Sequence, residues 1–133
     1  MRFSVDIEDL LRLAITTTGL SASANPLPPS FTVPYAIVTA TGGSTYDRVQ
    51  DRLTASIDVY ASTWADAQTW AETVVGKVRA IEGTTQGTAA RGMAFVYWVE
   101  VDSLPYKNDD PERPDLACMT VNVTVYVRNI SNT

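Results

Sequence analysis

The run LACMTVNVTVYVR, residues 116 to 128, constrains this chain more than any other stretch. Met119, Val121, Val123, Val125 and Val127 alternate with Thr120, Asn122, Thr124, Tyr126 and Arg128, so one side is dry and the other polar. A strand of this kind needs sheet neighbours and a layer over its apolar side. RLTASIDVYA, 52 to 61, repeats the pattern, with Leu53, Ala55, Ile57 and Val59 against Thr54, Ser56, Asp58 and Tyr60. PYAIVTATGG, 34 to 43, is β-branched up to paired glycines and predicts a further strand, joined to 52–61 as a hairpin with 44–51 at its tip. MAFVYWVEV, 93 to 101, sets Met93, Phe95, Tyr97, Val99 and Val101 against Ala94, Val96, Trp98 and Glu100. Both of its faces carry apolar bulk, so its second face is expected to meet something.

Two segments have the helical period instead. Ile7, Leu10, Leu11 and Ala14 mark one face of a helix over 6–16, with Asp6 as cap, Glu8 and Asp9 at the positive end of its dipole, and Gly19 closing it. Ala67, Ala71, Val74, Val75, Val78 and Ile81 mark a second over 64–81, with Thr63 as N-cap and Gly83 past its end. Gly76 inside it costs about 1 kcal/mol relative to alanine, which a close approach to the sheet would offset. The segment SASANPLPPSFTVP predicts an extended surface connector, and 83–92 a loop. The expected fold is α+β in one domain spanning 1–133, in the order α-β-β-α-β-β. Two hairpins form a four-stranded antiparallel sheet with both helices on one face. The other sheet face would present Thr54, Ser56, Asp58, Tyr60, Thr120, Asn122, Thr124 and Tyr126 with Val96 and Trp98. Such a face is either solvated or buried by another subunit.

Composition removes most catalytic classes. The chain has no histidine, which excludes Ser-His-Asp, Cys-His and HExxH mechanisms. Cys118 is the single cysteine, so no intrachain disulfide forms and a buried free thiol is expected. The formal charge is -5 with the basic residues scattered, the wrong sign for gripping phosphate. No apolar run reaches the roughly 20 residues of a membrane span. Asp6, Glu8 and Asp9 interrupt the first apolar stretch, which speaks against a signal peptide and for folding in a cytoplasm.

The acidic stretch LPYKNDDPERPDL, 104 to 116, offers Asp109, Asp110, Glu112 and Asp115 as oxygen ligands, but its spacing matches no calcium loop. The plainer reading is a hairpin connection kept off helix and strand by Pro111 and Pro114. A third is a docking arm with Lys107 and Arg113 available for ion pairs at a rim. Glu100 and Asp102 share a strand face without any sign of a pocket between them, and the glycines form no phosphate loop. No metal, cofactor or catalytic residue is expected. Trp64, Trp70 and Trp98 are expected to anchor a core or an interface.

Taken in order, several pieces resemble the tail terminator or tail-completion (neck) proteins of long-tailed bacteriophages: the short first helix, LPPSFTVPYAIVTATGG, TYDRVQDRLTASIDVYAS, TWADAQTWAETVVGKVRAI, and the acidic loop leading into the last strand. The likeness runs from Asp6 to Arg128, with IDVYA at 57–61 and PERPD at 111–115 as its signatures; Pro114 and Asp115 follow Arg113 where family members often carry an aromatic residue. The resemblance implies a non-enzymatic virion protein, assembled in the host cytoplasm into a homo-oligomeric ring, usually a hexamer. Such a ring ends growth of the tail tube and joins the tail to the head connector or stopper protein. Tyr60, Trp98, Asn122, Tyr126 and Asp58 are the expected subunit interface. Tyr46, Asp47 and Arg48 on one tip, and Tyr106, Lys107, Asp109, Asp110 and Arg113 on the other, are the expected docking loops. Net negative charge would let DNA pass the lumen without adhering. A head-completion or stopper protein is the nearest alternative, and a small-molecule-binding α+β dimer a more distant one.

Overall fold

The computed structural model describes residues 5–17, 19–46, 50–88 and 92–130. Its elements are α1 (Ile7–Ile15), β1 (Ser21–Ala24), β2 (Tyr35–Thr45), β3 (Asp51–Ala61), α2 (Trp64–Arg79), β4 (Thr85–Thr88), β5 (Gly92–Lys107) and β6 (Ala117–Asn129). They build one mixed sheet in the order β1-β2-β3-β6-β5-β4. This corrects the expected four-stranded antiparallel sheet: the sheet has six strands, and each half of the chain supplies one helix and three strands. The two additional strands are short edges. Ser21–Ala24 has neither alternation nor a β-branched residue, yet it pairs parallel with β2. Thr85–Thr88, inside the stretch read as a loop, pairs antiparallel with β5.

The centre of the sheet follows the alternation. β3 and β6 pair without a break from Asp51↔Val127 to Ala61↔Ala117. Their inward residues join Ile7, Leu10, Leu11 and Ile15 of α1 and Ala67, Ala71, Val74, Val75 and Val78 of α2 in one buried cluster. Both helices therefore cover the same face. Asp6 caps α1 by accepting from the Asp9 N–H at 3.1 Å, and Thr63 caps α2 by accepting from the Asp66 N–H at 3.1 Å. α1 ends at Thr16, before Gly19; Gly19 turns the chain back with φ of 91°, close under Trp70.

Four register shifts depart from simple alternation, three on β5, at Val96/Trp98, Val101/Ser103 and Ser103/Tyr106, and one on β2. On β5 the pairing passes from Val96↔Val127 to Trp98↔Tyr126, so Tyr97 is an extra, bulged residue. Val96 is thereby fully buried, not on the outer face with Trp98, while Val99 and Val101 return to the core. The Glu82 carboxylate accepts from the Val99 N–H at 2.9 Å just beyond the bulge. On β2 the register shifts between Ala40 and Gly42; a Cβ on Gly43 would lie 2.8 Å from the Arg52 carbonyl oxygen, so only glycine fits there.

Gly76 has a different status. A Cβ there would meet nothing within 4 Å, so no close approach to the sheet explains it. Gly76→Ala should stabilise the protein by about 0.5–1 kcal/mol, read as a rise in the denaturant midpoint at unchanged m-value.

Parallel pairing of β1 with β2 requires a long crossover. Residues 25–34 provide it, with cis peptide bonds at Asn25-Pro26 and Val33-Pro34. Because the helices occupy one face, this connection crosses the other. There Leu27, Phe31 and Val33, with Leu116, cover a small second core of Ile37, Tyr60 and Cys118.

Candidate functional site

The outer sheet face is divided into a covered end and a bare end. At the covered end Tyr60 is only 6% exposed, its ring 5.6 Å from that of Phe31. Its hydroxyl donates to Asp110 Oδ2 at 2.9 Å, an atom that also accepts from Arg113 Nη1 at 2.9 Å, while the Glu112 N–H donates to Asp110 Oδ1 at 3.0 Å. Arg113 stacks on Phe31 at 5.7 Å. One carboxylate thus organises the acidic loop and ties it to β3. Asn108 ties it to β6, its backbone N–H donating to the Cys118 carbonyl at 2.9 Å and its side-chain amide to Thr120 Oγ1 at 2.8 Å. Thr120 in turn donates to Asp58 at 2.6 Å.

Electrostatics at this end follow from burial and contact. Desolvation, then the hydrogen bond to Asp110, raises the Tyr60 phenol well above its usual range, so it remains a donor. Desolvation and the charge of Asp58 push the Cys118 thiol up to about 12, which makes it inert. For Asp110, desolvation acts upward, but the hydrogen bonds from Tyr60, Glu112 and Arg113 outweigh it and hold the carboxyl below its ordinary 3.8. A depressed folded-state value means a stabilisation present above the unfolded-state pKa and lost as pH falls through the lower folded-state one. Acid titration should therefore loosen residues 108–116 below about pH 4. The Arg113 and Leu116 amide resonances should report it, and Asp110→Asn should remove the pH step.

At the bare end Trp98 and Tyr126 sit in register, and Tyr46 packs edge-on against Tyr126 with ring centres 5.1 Å apart. With Gln50 and Glu100 these rings line a recess of ≈ 350 Å³. Trp98 is 54% and Tyr46 61% exposed, which leaves aromatic surface facing water. Arg52 pairs with Tyr126 in the register, and exposed Arg128 pairs with Phe95. Between the two ends, the Asn122 side-chain amide donates to Ser103 Oγ at 2.9 Å and to the Tyr106 hydroxyl at 3.3 Å. Asp102 accepts from buried Thr124.

Of the sequence-derived interface residues, Trp98 and Tyr126 therefore come together, Asn122 lies mid-face, and Tyr60 and Asp58 belong to the covered end. Tyr60 in particular is taken up by its own chain. Tyr106 and Lys107 lie on β5 and not in a loop, with the Lys107 ammonium 5.0 Å above the Trp64 ring. Asp109, Asp110 and Arg113 lie in the loop after it; Asp109 and Asp110 line a cavity of ≈ 470 Å³ with Thr63 and Trp64, and Arg113 lies on the Phe31 side. Asp47 and Arg48 lie outside the described residues. Exposed Tyr97 and half-buried Arg52 join this end without a sequence signal of their own: the bulge turns Tyr97 outward, and Arg52 stands at the start of the alternating run 52–61. Among the described residues no group of three or more histidine, cysteine, aspartate or glutamate side chains is placed to hold a metal ion.

Neither a family model nor a curated protein matches the chain. Among solved structures, a chain from the virion of a native gene transfer agent (GTA) particle is similar over 90% of this chain and 84% of its own length, at 16% identity and a TM-score of 0.49. A second solved chain is similar over 93% of this one and 90% of its own length, at 15% identity and a TM-score of 0.46.

Proposed function

We propose that this protein is a structural virion component that assembles as a ring at the head-proximal end of a phage tail tube, ends tube growth and joins the tail to the head connector. The order and spacing of its sequence segments support this reading. The observation that carries it is the bare end of the outer sheet face, where Tyr46, Trp98 and Tyr126 expose aromatic surface that burial against a neighbour would remove from water. Ring closure requires one surface of each copy to complement a different surface of the next. The β2–β3 end at Thr45 and Asp51 and the loop 108–115 lie at opposite ends of the sheet, and we assign the stretches 44–51 and 105–115 to docking. Catalysis has no part in this role, and DNA crosses the ring without specific contacts.

Deleting the gene and measuring tails by electron microscopy tests the proposal. The expected result is shafts of irregular, extended length, and a ring bearing this protein on wild-type tails made without heads. Uniform shafts in the deletion would overturn it. Finding the protein on filled heads but never on isolated tails would make it a stopper instead.

A further inference from the structure

We propose that copies of this chain join through unlike ends, the acidic proline-bearing loop 108–115 of one copy seating on the arginine-flanked aromatic recess of the next. This rests on the ring reading above and names the surfaces that make its contact. The two surfaces cannot meet within one copy. The recess lies at the Asp51/Val127 end of the β3–β6 pair and the loop at the Ala61/Ala117 end. β3 has 11 residues; at about 3.3 Å each, roughly 35 Å separates the ends. The contact is therefore heterologous, the kind that closes into a ring when the rotation permits.

The chemistry of the two surfaces is complementary. In the loop, Asp110 and Arg113 are spent on each other and on Tyr60, which sets the loop's shape. Asp109, Pro111, Glu112, Pro114 and Asp115 remain exposed. They present carboxylates and proline rings on a backbone already stiff, so little freedom is lost on docking. The recess offers aromatic faces for prolines, as in proline-rich recognition, and the strands beside it, outside its lining, carry guanidinium groups for carboxylates. Arg52 and Arg128 flank Trp98 and Tyr126, against the single carboxylate of Glu100 in the lining. Of the other described cations, Arg12, Lys107 and Arg113 are engaged with Asp9, Trp64 and Asp110 inside their own subunit, and exposed Lys77 and Arg79 belong to α2, in the layer on the opposite side of the sheet.

Charge reversal tests the contact. Arg52→Glu with Arg128→Glu makes both surfaces acidic, and Asp109→Arg with Glu112→Arg makes both basic. Sedimentation of the wild-type chain should show self-association that weakens as salt rises. Each double variant alone should associate roughly a hundredfold more weakly; because Arg52 is half-buried, its variant is also required to unfold cooperatively above the assay temperature, which separates lost contact from lost fold. An equimolar mixture should regain assembly, since every contact in an alternating ring then joins unlike charges. A wild-type chain that stays monomeric at low salt up to about 1 mM would overturn the proposal. So would a double variant that assembles like wild type, or a mixture that does not co-assemble. Failure of rescue in a protein whose deletion still disturbs tail length would remove this contact alone. Normal shafts with successful rescue would remove the tail role and leave the contact.

Discussion

Replacing Tyr60 by alanine is expected to lower folding stability by about 3–4 kcal/mol, the range for removing a buried aromatic ring. Three separate interactions meet in that side chain. Its ring fills the second core with Ile37 and Cys118 and packs against Phe31, and its hydroxyl is one of the donors that hold Asp110. Both segments lying over the outer face, 25–34 and 108–116, depend on it. The loss should appear as a lower denaturant midpoint, together with faster hydrogen exchange at the Asn108 amide, whose partner is the Cys118 carbonyl. Tyr60→Phe separates the contributions. It keeps the ring and removes one hydrogen bond to a charged group, so about 1.5–3 kcal/mol should be lost. Equal effects of the two substitutions would mean that the second core contributes nothing.

The second large effect is expected at Leu11. This side chain is 0% exposed, and α1 has only 9 residues, too few to persist without packing. Leu11→Ala removes apolar area and leaves a cavity between α1, the sheet and α2, at a cost of about 3 kcal/mol. α1 is otherwise held by Ile7, Leu10 and Ile15 in the same cluster and by the Glu8 carboxylate, which accepts from the Ala40 N–H at 2.8 Å. Limited proteolysis should therefore cut the variant near α1 before the rest of the domain unfolds. Leu13, which is 39% exposed on the same helix, supplies the control. Leu13→Ala should stay within about 0.5 kcal/mol of wild type.

How much of the candidate site was legible follows the same division between local and distant causes. Trp98 and Tyr126 stand out in the sequence as large aromatics at polar positions of alternating strands, and they share the recess. Tyr60 carries the same signature yet is buried, because the segments that cover it lie far away in the chain: Phe31 before it and Asp110 after it. Nothing in the period of RLTASIDVYA announces that a proline-rich crossover will lie on that face. A strict period of two places Tyr97 on the inner face, and a single extra residue before Trp98 exchanges the faces.

Features whose free energy is local, or repeats along the chain, are legible in the order of the amino acids. These are the two capped amphipathic helices, the inward valines of β6 and the apolar side of β3, and a chemistry without histidine. Tertiary structure alone decided the edge strands, the bulges and the division of the outer face. Ser21–Ala24 and Thr85–Thr88 become strands only because β2 and β5 offer unpaired backbone groups beside them, and four residues cannot encode that offer. The physical reason is range: a strand's alternation records which side is dry, whereas its neighbours, register and covering loops depend on pairings between distant segments that no short window contains.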